Sequence, residues 1–296
     1  MEVVIAGAGA MGLLIGSYLA EAGMSVSFLT RREDQAIELR EYGVTRIQND
    51  REITFQVAAF SDLTRAPRKA MWILALKSID LHNVVEKLEN NVHPEHLMFI
   101  QNGLRHYELG LSTSIPSVSA ASLTHGAGKR DDRTVIHNGV GVMSIAPIKG
   151  GQKLSFPLFE ADSPSFPILH EEDAYQMLLR KVLVNCCINP LTAILELKNG
   201  ELLTNNSAHH LMQVIYGELA AEYPEIAKKL SFSDVEEVCR STADNRSSMF
   251  VDKRNKVPME IDTIISAVLE GHEEKMPTLK LFETLLKAID ERKEDT

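Results

Sequence analysis

The fold is decided by the stretch Val3-Val4-Ile5-Ala6-Gly7-Ala8-Gly9-Ala10-Met11-Gly12. It joins an apolar strand to a G-x-G-x-x-G turn, and the apolar spacing of residues 13–20 predicts a helix directly after it. The first glycine permits a tight turn, the second lets a phosphate approach the backbone, and the third lets the helix pack on the strand. The free N–H groups of the helix would face the anion. The stretch therefore predicts a dinucleotide pyrophosphate site, and a plain strand–turn–helix is the alternative. The expected contacts are Gly7, Ala8, Gly9, Ala10, Met11 and Gly12.

Length and composition fit a protein of about two domains, because 296 residues with 44% hydrophobic side chains can bury a sizeable core. The net charge of −10 argues against a nucleic-acid surface. The three cysteines, two of them adjacent at Cys186 and Cys187, suit neither a disulfide framework nor a zinc site, so buried thiols and no metal are expected. No unbroken apolar run has the length of a membrane helix, so we expect a cytoplasmic protein without a membrane partner.

The second predicted strand, residues 25–29, ends at Thr30-Arg31-Arg32. A Rossmann fold places there the residue that meets the adenosine ribose, and an acid is usual for NAD. Arginine donors would instead meet a 2′-phosphate, which favours NADP and makes Arg31 a cofactor contact. The alternative is a solvated surface pair beside Glu33 and Asp34.

Two fully apolar runs, residues 71–76 and 97–100, are typical of strands buried on both faces of a parallel sheet. They end at Lys77 and at Gln101-Asn102-Gly103. Doubly wound folds bind ligands at the carboxyl ends of their strands. We therefore expect Lys77 and Asn102 to line the nicotinamide end of a cleft.

The remaining pattern indicates the division of the chain. Residues 44–48 and 53–57 predict a hairpin, and strands at 134–137 and 141–145 are expected to extend the sheet in antiparallel fashion. After Glu171 the chain becomes strongly helical. The prediction is an α/β fold with an N-terminal Rossmann-type doubly wound sheet, an antiparallel extension and a C-terminal all-helical domain. The expected domains are residues 1–169, which bind NADP, and 170–296, which carry the substrate and the catalytic groups.

Three polar residues recur every four positions on the first helix of the second half: Lys181, Asn185 and Asn189. Apolar neighbours make this face unlike an ordinary solvated surface, so Lys181 is a candidate proton donor and the asparagines are candidate substrate contacts. The alternative is that all three face solvent. Pro190 should kink or end the helix.

Other candidates stand outside this helix. Ser248 offers a hydroxyl donor to a substrate carboxylate, and Glu260 opens an apolar helix with residues 261, 264, 265, 268 and 269 on its buried side. An acid that only complements the helix dipole is the alternative for Glu260. His125, isolated beside glycines, is expected to be an ordinary loop residue.

Several of these groups together resemble one family of enzymes. The resemblance covers nearly the whole chain, and its most specific part is the pattern R-K-x-x-x-N-x-x-x-N-P-L-T-A in residues 180–193. The sequence is similar to the short bacterial form of ketopantoate reductase (2-dehydropantoate 2-reductase). The other matching groups are residues 7–12, Lys77, Gln101-Asn102-Gly103, Ser247-Ser248-Met249 with Asp252, and Glu260-Ile261-Asp262.

The resemblance implies NADPH-dependent reduction of ketopantoate to (R)-pantoate on the route to pantothenate and coenzyme A. Lys181 matches the general acid of the family, and Glu260 matches its catalytic acid. Asn102 and Lys77 match the junction of cofactor and substrate. Asn185, Asn189 and Ser248, with Asn102 and Lys181, match the substrate-binding set. A small 2-keto acid is the expected partner, and a homodimer is left open.

Other classes of function remain as alternatives. The chain could reduce another 2-keto acid, act as a 2-hydroxyacid or polyol-phosphate dehydrogenase, or serve as a catalytically silent NADP-binding sensor. A sensor has no need of Lys181 and Glu260 together, which argues against it. An interaction scaffold without cofactor is the fourth alternative, and NADPH binding would exclude it.

Overall fold

The computed structural model describes residues 2–67, 69–150 and 156–291. The chain forms two compact units, one made of residues 1–101 and 106–177 and the other of residues 102–105 and 178–296. The second unit therefore includes four residues that interrupt the sequence of the first.

The first unit is built around β-strands. They are β1 (Glu2–Ala6), β2 (Ser25–Leu29), β3 (Val44–Gln48), β4 (Arg51–Phe55), β5 (Ala58–Phe60), β6 (Met71–Leu74), β7 (His96–Phe99), β8 (Ser117–Leu123), β9 (Gly126–Lys129), β10 (Thr134–Gly139), β11 (Met143–Lys149) and β12 (Ile168–His170). The helices in this part of the sequence are α1 (Ala10–Glu21), α2 (Glu33–Tyr42), α3 (Leu81–Asn91) and α4 (Arg105–Ser112). Short 3₁₀ turns occupy Leu63–Arg65, Ser78–Asp80 and Phe156–Ala161.

The main sheet has eight strands in the order β12-β11-β8-β7-β6-β1-β2-β5. The six strands from β8 to β5 are parallel, and β11 runs antiparallel to β8 with Met143 opposite Leu123. The predicted Rossmann-type sheet with an antiparallel extension is confirmed.

One strand of the predicted extension lies elsewhere. The expectation that residues 134–137 extend the main sheet is wrong, because β10 pairs with β3 and β9 in a second sheet of order β4-β3-β10-β9. The β3–β4 hairpin leaves the outer edge of β3 unpaired, and β10 satisfies its backbone groups by parallel pairing, with Thr134 opposite Thr45. The hairpin itself was predicted, but β4 begins two residues earlier. Asn49 and Asp50 have φ values of 51° and 60°, as a two-residue primed turn requires.

Both faces of the main sheet are covered because its strands alternate between two clusters of buried residues. Val3 and Ile5 belong to the cluster that includes Leu14 of α1. Val4 belongs to the opposite cluster, which includes Val85 of α3. A continuous apolar run is therefore needed over residues 3–6 of β1, since each of these side chains is buried against a covered face. This arrangement leaves the carboxyl ends of the parallel strands as the edge for binding.

The second unit is helical. Its elements are α5 (Ala174–Leu195, in this unit from residue 178), α6 (Glu201–Thr204), α7 (Asn206–Glu222), α8 (Pro224–Ala227), α9 (Phe232–Ser241), α10 (Ser248–Arg254), a π-helical turn (Asp262–Ser266) that continues into α11 (Ala267–Leu269), and α12 (Pro277–Glu291). One cluster of buried apolar side chains joins these helices.

The helix α5 forms the centre of this cluster. By length and composition it could cross a membrane, but 67% of its most apolar window is buried inside the protein, as in the core helix of a globular fold. Of the two expected effects of Pro190, a kink or an end of the helix, the end is excluded, because the helix continues to Leu195. Leu191 and Ala193, just beyond the proline, are fully buried, and their packing offsets the one backbone hydrogen bond that proline cannot donate. The expected buried thiols are confirmed, since all three cysteines are free and buried.

Candidate functional site

The glycine turn after β1 excludes side chains at two positions. Gly7 has a φ of 107°, and a Cβ on it would lie 2.5 Å from the carbonyl oxygen of Ala75. A Cβ on Gly12 would overlap the carbonyl oxygen of Gly7 and lie 3.1 Å from Ala75 Cβ. The Gly7 N–H donates to Leu29 O at 2.9 Å, which ties the turn to the end of β2. The turn therefore packs backbone against backbone, as the sequence predicted for these two glycines.

Gly9 differs from its neighbours because a Cβ on it would meet no atom within 4 Å. It is the N-cap residue of α1, where no side chain caps the helix and no acidic residue lies in the first turn. The first N–H groups of α1, near Ala10 and Met11, therefore remain available to an anion. Open space beside uncapped donors fits a dinucleotide pyrophosphate.

Gln35 supports the turn and was missed by sequence reasoning. Its Nε2 donates to Ala8 O at 3.0 Å and to Asp132 O at 2.8 Å. The side chain is buried on the inner face of α2, beside the fully buried Ala36. An amide on the buried side of an otherwise polar helix was the signal that could have identified it, because buried amides need hydrogen-bond partners.

The two arginines after β2 have different surroundings. Arg32 donates from Nη1 to Asp34 Oδ2 at 2.6 Å and from Nη2 to Asp132. Arg31 is exposed and forms no ion pair with any residue that the structure describes. Of these two arginines, Arg31 is therefore the one whose guanidinium is not already engaged by a described carboxylate. Lys77 is also exposed, between β6 and the next 3₁₀ turn.

His125 lies in a loop, as expected, but it is buried in an aromatic cluster. Its ring stacks on Phe166 with centroids 4.7 Å apart. Its Nδ1 accepts the Gly141 N–H at 3.1 Å and lies 3.1 Å from His137 Nε2, and His137 Nδ1 lies 2.8 Å from Tyr18 Oη. Since Nδ1 accepts the Gly141 N–H, the proton of the neutral His125 ring is on Nε2, and the Tyr18 hydroxyl donates to Gln48 Oε1 at 3.1 Å. Burial lowers the pKa of His125 to about 4, with His137 contributing, so the ring is neutral at pH 7.

The second unit brings three predicted site residues together. Asn102 Nδ2 donates to Glu260 Oε2 at 3.2 Å, although 158 positions separate them in the sequence. Lys181, half-buried on α5, interacts electrostatically with Glu260. Burial lowers the pKa of Lys181 to about 8, and the Glu260 carboxylate acts in the opposite direction. The result is an ammonium that is more acidic than an ordinary lysine and is still mostly charged at pH 7.

The other predicted substrate contacts are less closely connected. Asn189 is buried and Asn185 is half-buried, and neither side-chain amide has a hydrogen-bond partner among the described residues. Ser248 is exposed at the start of α10. Its neighbour Ser247 caps this helix, accepting from Phe250 N at 3.1 Å. In the described part of the chain, Ser248 forms no hydrogen bond with the Lys181 group. That part also holds no group of three or more His, Cys, Asp or Glu side chains able to bind a metal.

The fold and the glycine turn define the class of protein as a Rossmann-type, dinucleotide-binding protein. The model of the family "Ketopantoate reductase PanE/ApbA" matches residues 3–150, and that of "Ketopantoate reductase PanE/ApbA C terminal" matches residues 173–293. The chain belongs to this family, whose cofactor is NADPH.

Individual relatives agree with the family over nearly the whole chain. A 2-dehydropantoate 2-reductase of Listeria monocytogenes is 31% identical, over 98% of this chain and 97% of its own. One of Bacillus subtilis is 31% identical, over 91% of this chain and 90% of its own. The crystal structure of the probable 2-dehydropantoate 2-reductase panE of Bacillus subtilis has a TM-score of 0.87 at 29% identity, covering 98% of this chain and 100% of the other.

The open space at Gly9 generates a prediction. Gly9→Ala should leave the thermal midpoint unchanged, because its φ of −84° suits alanine and the added methyl meets no atom. The methyl should occupy the space of the pyrophosphate and raise the KM for NADPH by about tenfold or more, a loss of about 1.4 kcal/mol or more. Differential scanning fluorimetry and steady-state kinetics measure the two effects.

The matched variant is Gly12→Ala, whose methyl overlaps Gly7 O. It should lower the free energy of unfolding by about 1–3 kcal/mol, as overpacking does. Unchanged NADPH kinetics in a folded Gly9→Ala protein would show that the turn does not hold the pyrophosphate.

Proposed function

We propose that the protein catalyses the NADPH-dependent reduction of ketopantoate (2-dehydropantoate) to (R)-pantoate, in pantothenate and coenzyme A biosynthesis. The observation that carries the proposal is the group formed by Lys181, Glu260 and Asn102, in which burial and a fixed carboxylate adjust the acidity of one lysine. Membership of the ketopantoate reductase family, with relatives of that name matched over nearly the whole chain, supports it.

When bound, NADPH supplies the hydride for the ketone carbon. The chain itself must then provide the proton for the ketone oxygen, and Lys181 does so from its Nζ ammonium. The same positive charge stabilises the alkoxide that develops on that oxygen. With a pKa of about 8, the ammonium gives up its proton more readily than an ordinary lysine would. Glu260 raises the pKa of Lys181 and so favours its protonated form at neutral pH. Asn102 holds the Glu260 carboxylate by a hydrogen bond.

The amides of Asn185 and Asn189 bind the substrate beside Lys181, because all three follow one another at every fourth position along α5. Ketopantoate presents a carboxylate, a ketone and a hydroxyl, and amide groups can donate to or accept from each of them. Ser248 adds a hydroxyl donor from α10. Several such contacts orient the ketone for attack, which is where much of the rate enhancement of such an enzyme arises.

We further propose that residues 1–169 act as the NADP-binding domain and residues 170–296 as the substrate and catalytic domain. Gly7, Ala8, Gly9, Ala10, Met11 and Gly12, with Arg31, Lys77 and Asn102, form the cofactor contacts in this proposal. A cytoplasmic location and a homodimer stay predictions. The buried free thiols support a reducing compartment.

The alternative functions differ in their need for the Lys181 group. A silent NADP-binding sensor would have no use for a lysine of lowered pKa beside a held carboxylate. A reductase of another 2-keto acid would use the same group, so only the choice of substrate separates it from the proposal.

Substrate choice and proton donation are tested together by NADPH oxidation with a panel of 2-keto acids. Ketopantoate should give the highest kcat/KM, and Lys181→Ala should lower kcat by about 10²–10⁴-fold, as expected for loss of a general acid. Far-UV circular dichroism should show an unchanged fold. Lys228→Ala, which removes an exposed lysine of the same unit, is the matched control and should keep wild-type turnover. A wild-type rate in Lys181→Ala would refute the proton donor, and a preferred substrate other than ketopantoate would refute the substrate.

The lowered pKa of Lys181 predicts the alkaline limb of the pH profile. The protonated lysine is the active form, so kcat/KM should fall as the pH rises through about 8. In Glu260→Gln the carboxylate that raises this pKa is gone, so the limb should move to lower pH. A limb that stays in place in Glu260→Gln would contradict the assignment.

The difference between the two arginines predicts cofactor selectivity. Arg31→Ala should raise the KM for NADPH about tenfold or more and leave that for NADH unchanged, because a charge-assisted hydrogen bond to the 2′-phosphate is lost. Arg32→Ala should have a smaller effect, since Asp34 and Asp132 already engage its guanidinium. Equal effects of Arg31→Ala on both cofactors, or a wild-type preference for NADH, would exclude the 2′-phosphate contact.

A further inference from the structure

Residues Asn102–Arg105 belong to the helical unit, whereas the residues before and after them belong to the other unit. Leu104 packs against the apolar core of the helical unit. Its N–H donates to Thr263 O at 3.3 Å, and Arg105 Nε donates to Asp262 O at 3.1 Å. The segment is therefore attached to the turn that begins at Asp262.

That turn is π-helical, over Asp262–Ser266. Three successive carbonyls in it accept a hydrogen bond from outside the turn, since Ile264 O also accepts from Cys186 Sγ at 3.6 Å. A π-helical turn pairs each N–H with the carbonyl five residues earlier, and such turns are frequent at functional sites. The sequence predicted an apolar helix here, and burial of its predicted inner side is confirmed. The π-helical geometry was not predicted.

Gly103 lies directly against this turn. Its φ is 90°, and a Cβ on it would overlap Thr263 O and lie 2.7 Å from Thr263 C and 2.8 Å from Thr263 Cβ. Two of these three atoms are backbone atoms of a buried turn, so they cannot move aside cheaply. Glycine is therefore required on steric grounds as well as for its backbone conformation.

The contact between Gly103 and Thr263 lies next to both residues of the Asn102–Glu260 hydrogen bond. Asn102 immediately precedes Gly103, and the Glu260 carbonyl accepts from Ile264 N at 3.2 Å and from Thr263 Oγ1 at 3.3 Å. The contact between Gly103 and Thr263 therefore fixes both backbones. Asn102 is held through Gly103, and Glu260 is held through its hydrogen bonds with the π-helical turn. The side chains meet at 3.2 Å as a result.

We propose that Gly103 is a positioning residue, whose contact with the π-helical turn sets Asn102 against the Glu260 carboxylate and thereby orients the group around Lys181. The role of that group rests on the proposed function. A methyl at position 103 displaces Asn102 from Glu260 while leaving every side chain of the group chemically unchanged. Misplacement by about 1 Å near a reacting centre costs on the order of 100-fold in rate.

The test is Gly103→Ala in the full chain. We expect kcat/KM for ketopantoate to fall by about 10–100-fold, mainly in kcat. Gly217→Ala is the matched control, since Gly217 is an exposed helical glycine of the same unit whose Cβ would meet no atom within 4 Å, and it should keep wild-type kinetics. Wild-type kcat in Gly103→Ala would overturn the proposal.

A double-mutant cycle with Glu260→Gln separates positioning from general loss of structure. If Gly103 acts through Glu260, Gly103→Ala should cost less than about threefold further in the Glu260→Gln background. Full additivity of the two losses would overturn the proposal. If Gly103→Ala does not fold, Arg105→Ala loosens the same segment without a clash and should lower kcat several-fold, with partial recovery in Arg105→Lys. Wild-type kcat in Arg105→Ala would then count against the proposal.

A measurement without substrate keeps this inference distinct from the proposed function. The ¹⁵N–¹H resonances of the Asn102 side-chain amide, assigned by their loss in Asn102→Ser, should shift in Glu260→Gln and shift similarly in Gly103→Ala. If the wild-type protein does not reduce ketopantoate, the proposed function fails while these resonances still decide whether Gly103 positions Asn102. Unchanged resonances in Gly103→Ala would overturn the positioning role.

Discussion

The first unit depends on the absence of side chains at Gly7 and Gly12. A Cβ on Gly7 would overlap the carbonyl of Ala75, just after β6, and a Cβ on Gly12 would overlap the carbonyl of Gly7, so the turn after β1 is in direct contact with the first turn of α1. This contact brings the N-terminus of α1 to the edge where the parallel strands of the main sheet end. The donors of the proposed pyrophosphate site are backbone N–H groups, and they depend on that packing for their position. Gln35 adds to it by holding the Ala8 carbonyl.

The second unit holds a titratable group, the Lys181 ammonium, on an apolar helix. Burial makes the charged form of Lys181 less favourable and lowers its pKa, and Glu260 opposes that effect. A carboxylate in such surroundings needs hydrogen-bond donors of its own, and Asn102 supplies one. The group therefore joins three residues from three separate parts of the sequence.

The strands and helices that follow from local sequence patterns were predicted, and those that depend on distant contacts were not. Strand β2 was predicted with its observed bounds, and the inner side of the helix after Glu260 was identified, because alternation and helical spacing are local properties. The path of β10 was mistaken, because strand pairing depends on which edge is unpaired in three dimensions. Whether α5 would continue through Pro190 was left open by the sequence, because packing can outweigh a local preference. The site residues were named as candidates from their types and spacing, and their roles stay proposals.

The sequence by itself determined the glycine turn, the apolar strands and the polar face of α5, since each follows from sterics and periodicity within a few residues. Only the tertiary structure decided that Arg32 is engaged by Asp132, that Gln35 supports the turn, and that Asn102 meets Glu260. Those contacts join residues 27 to 158 positions apart, and no local pattern encodes such distances. They arise only when the packed core has brought the segments together.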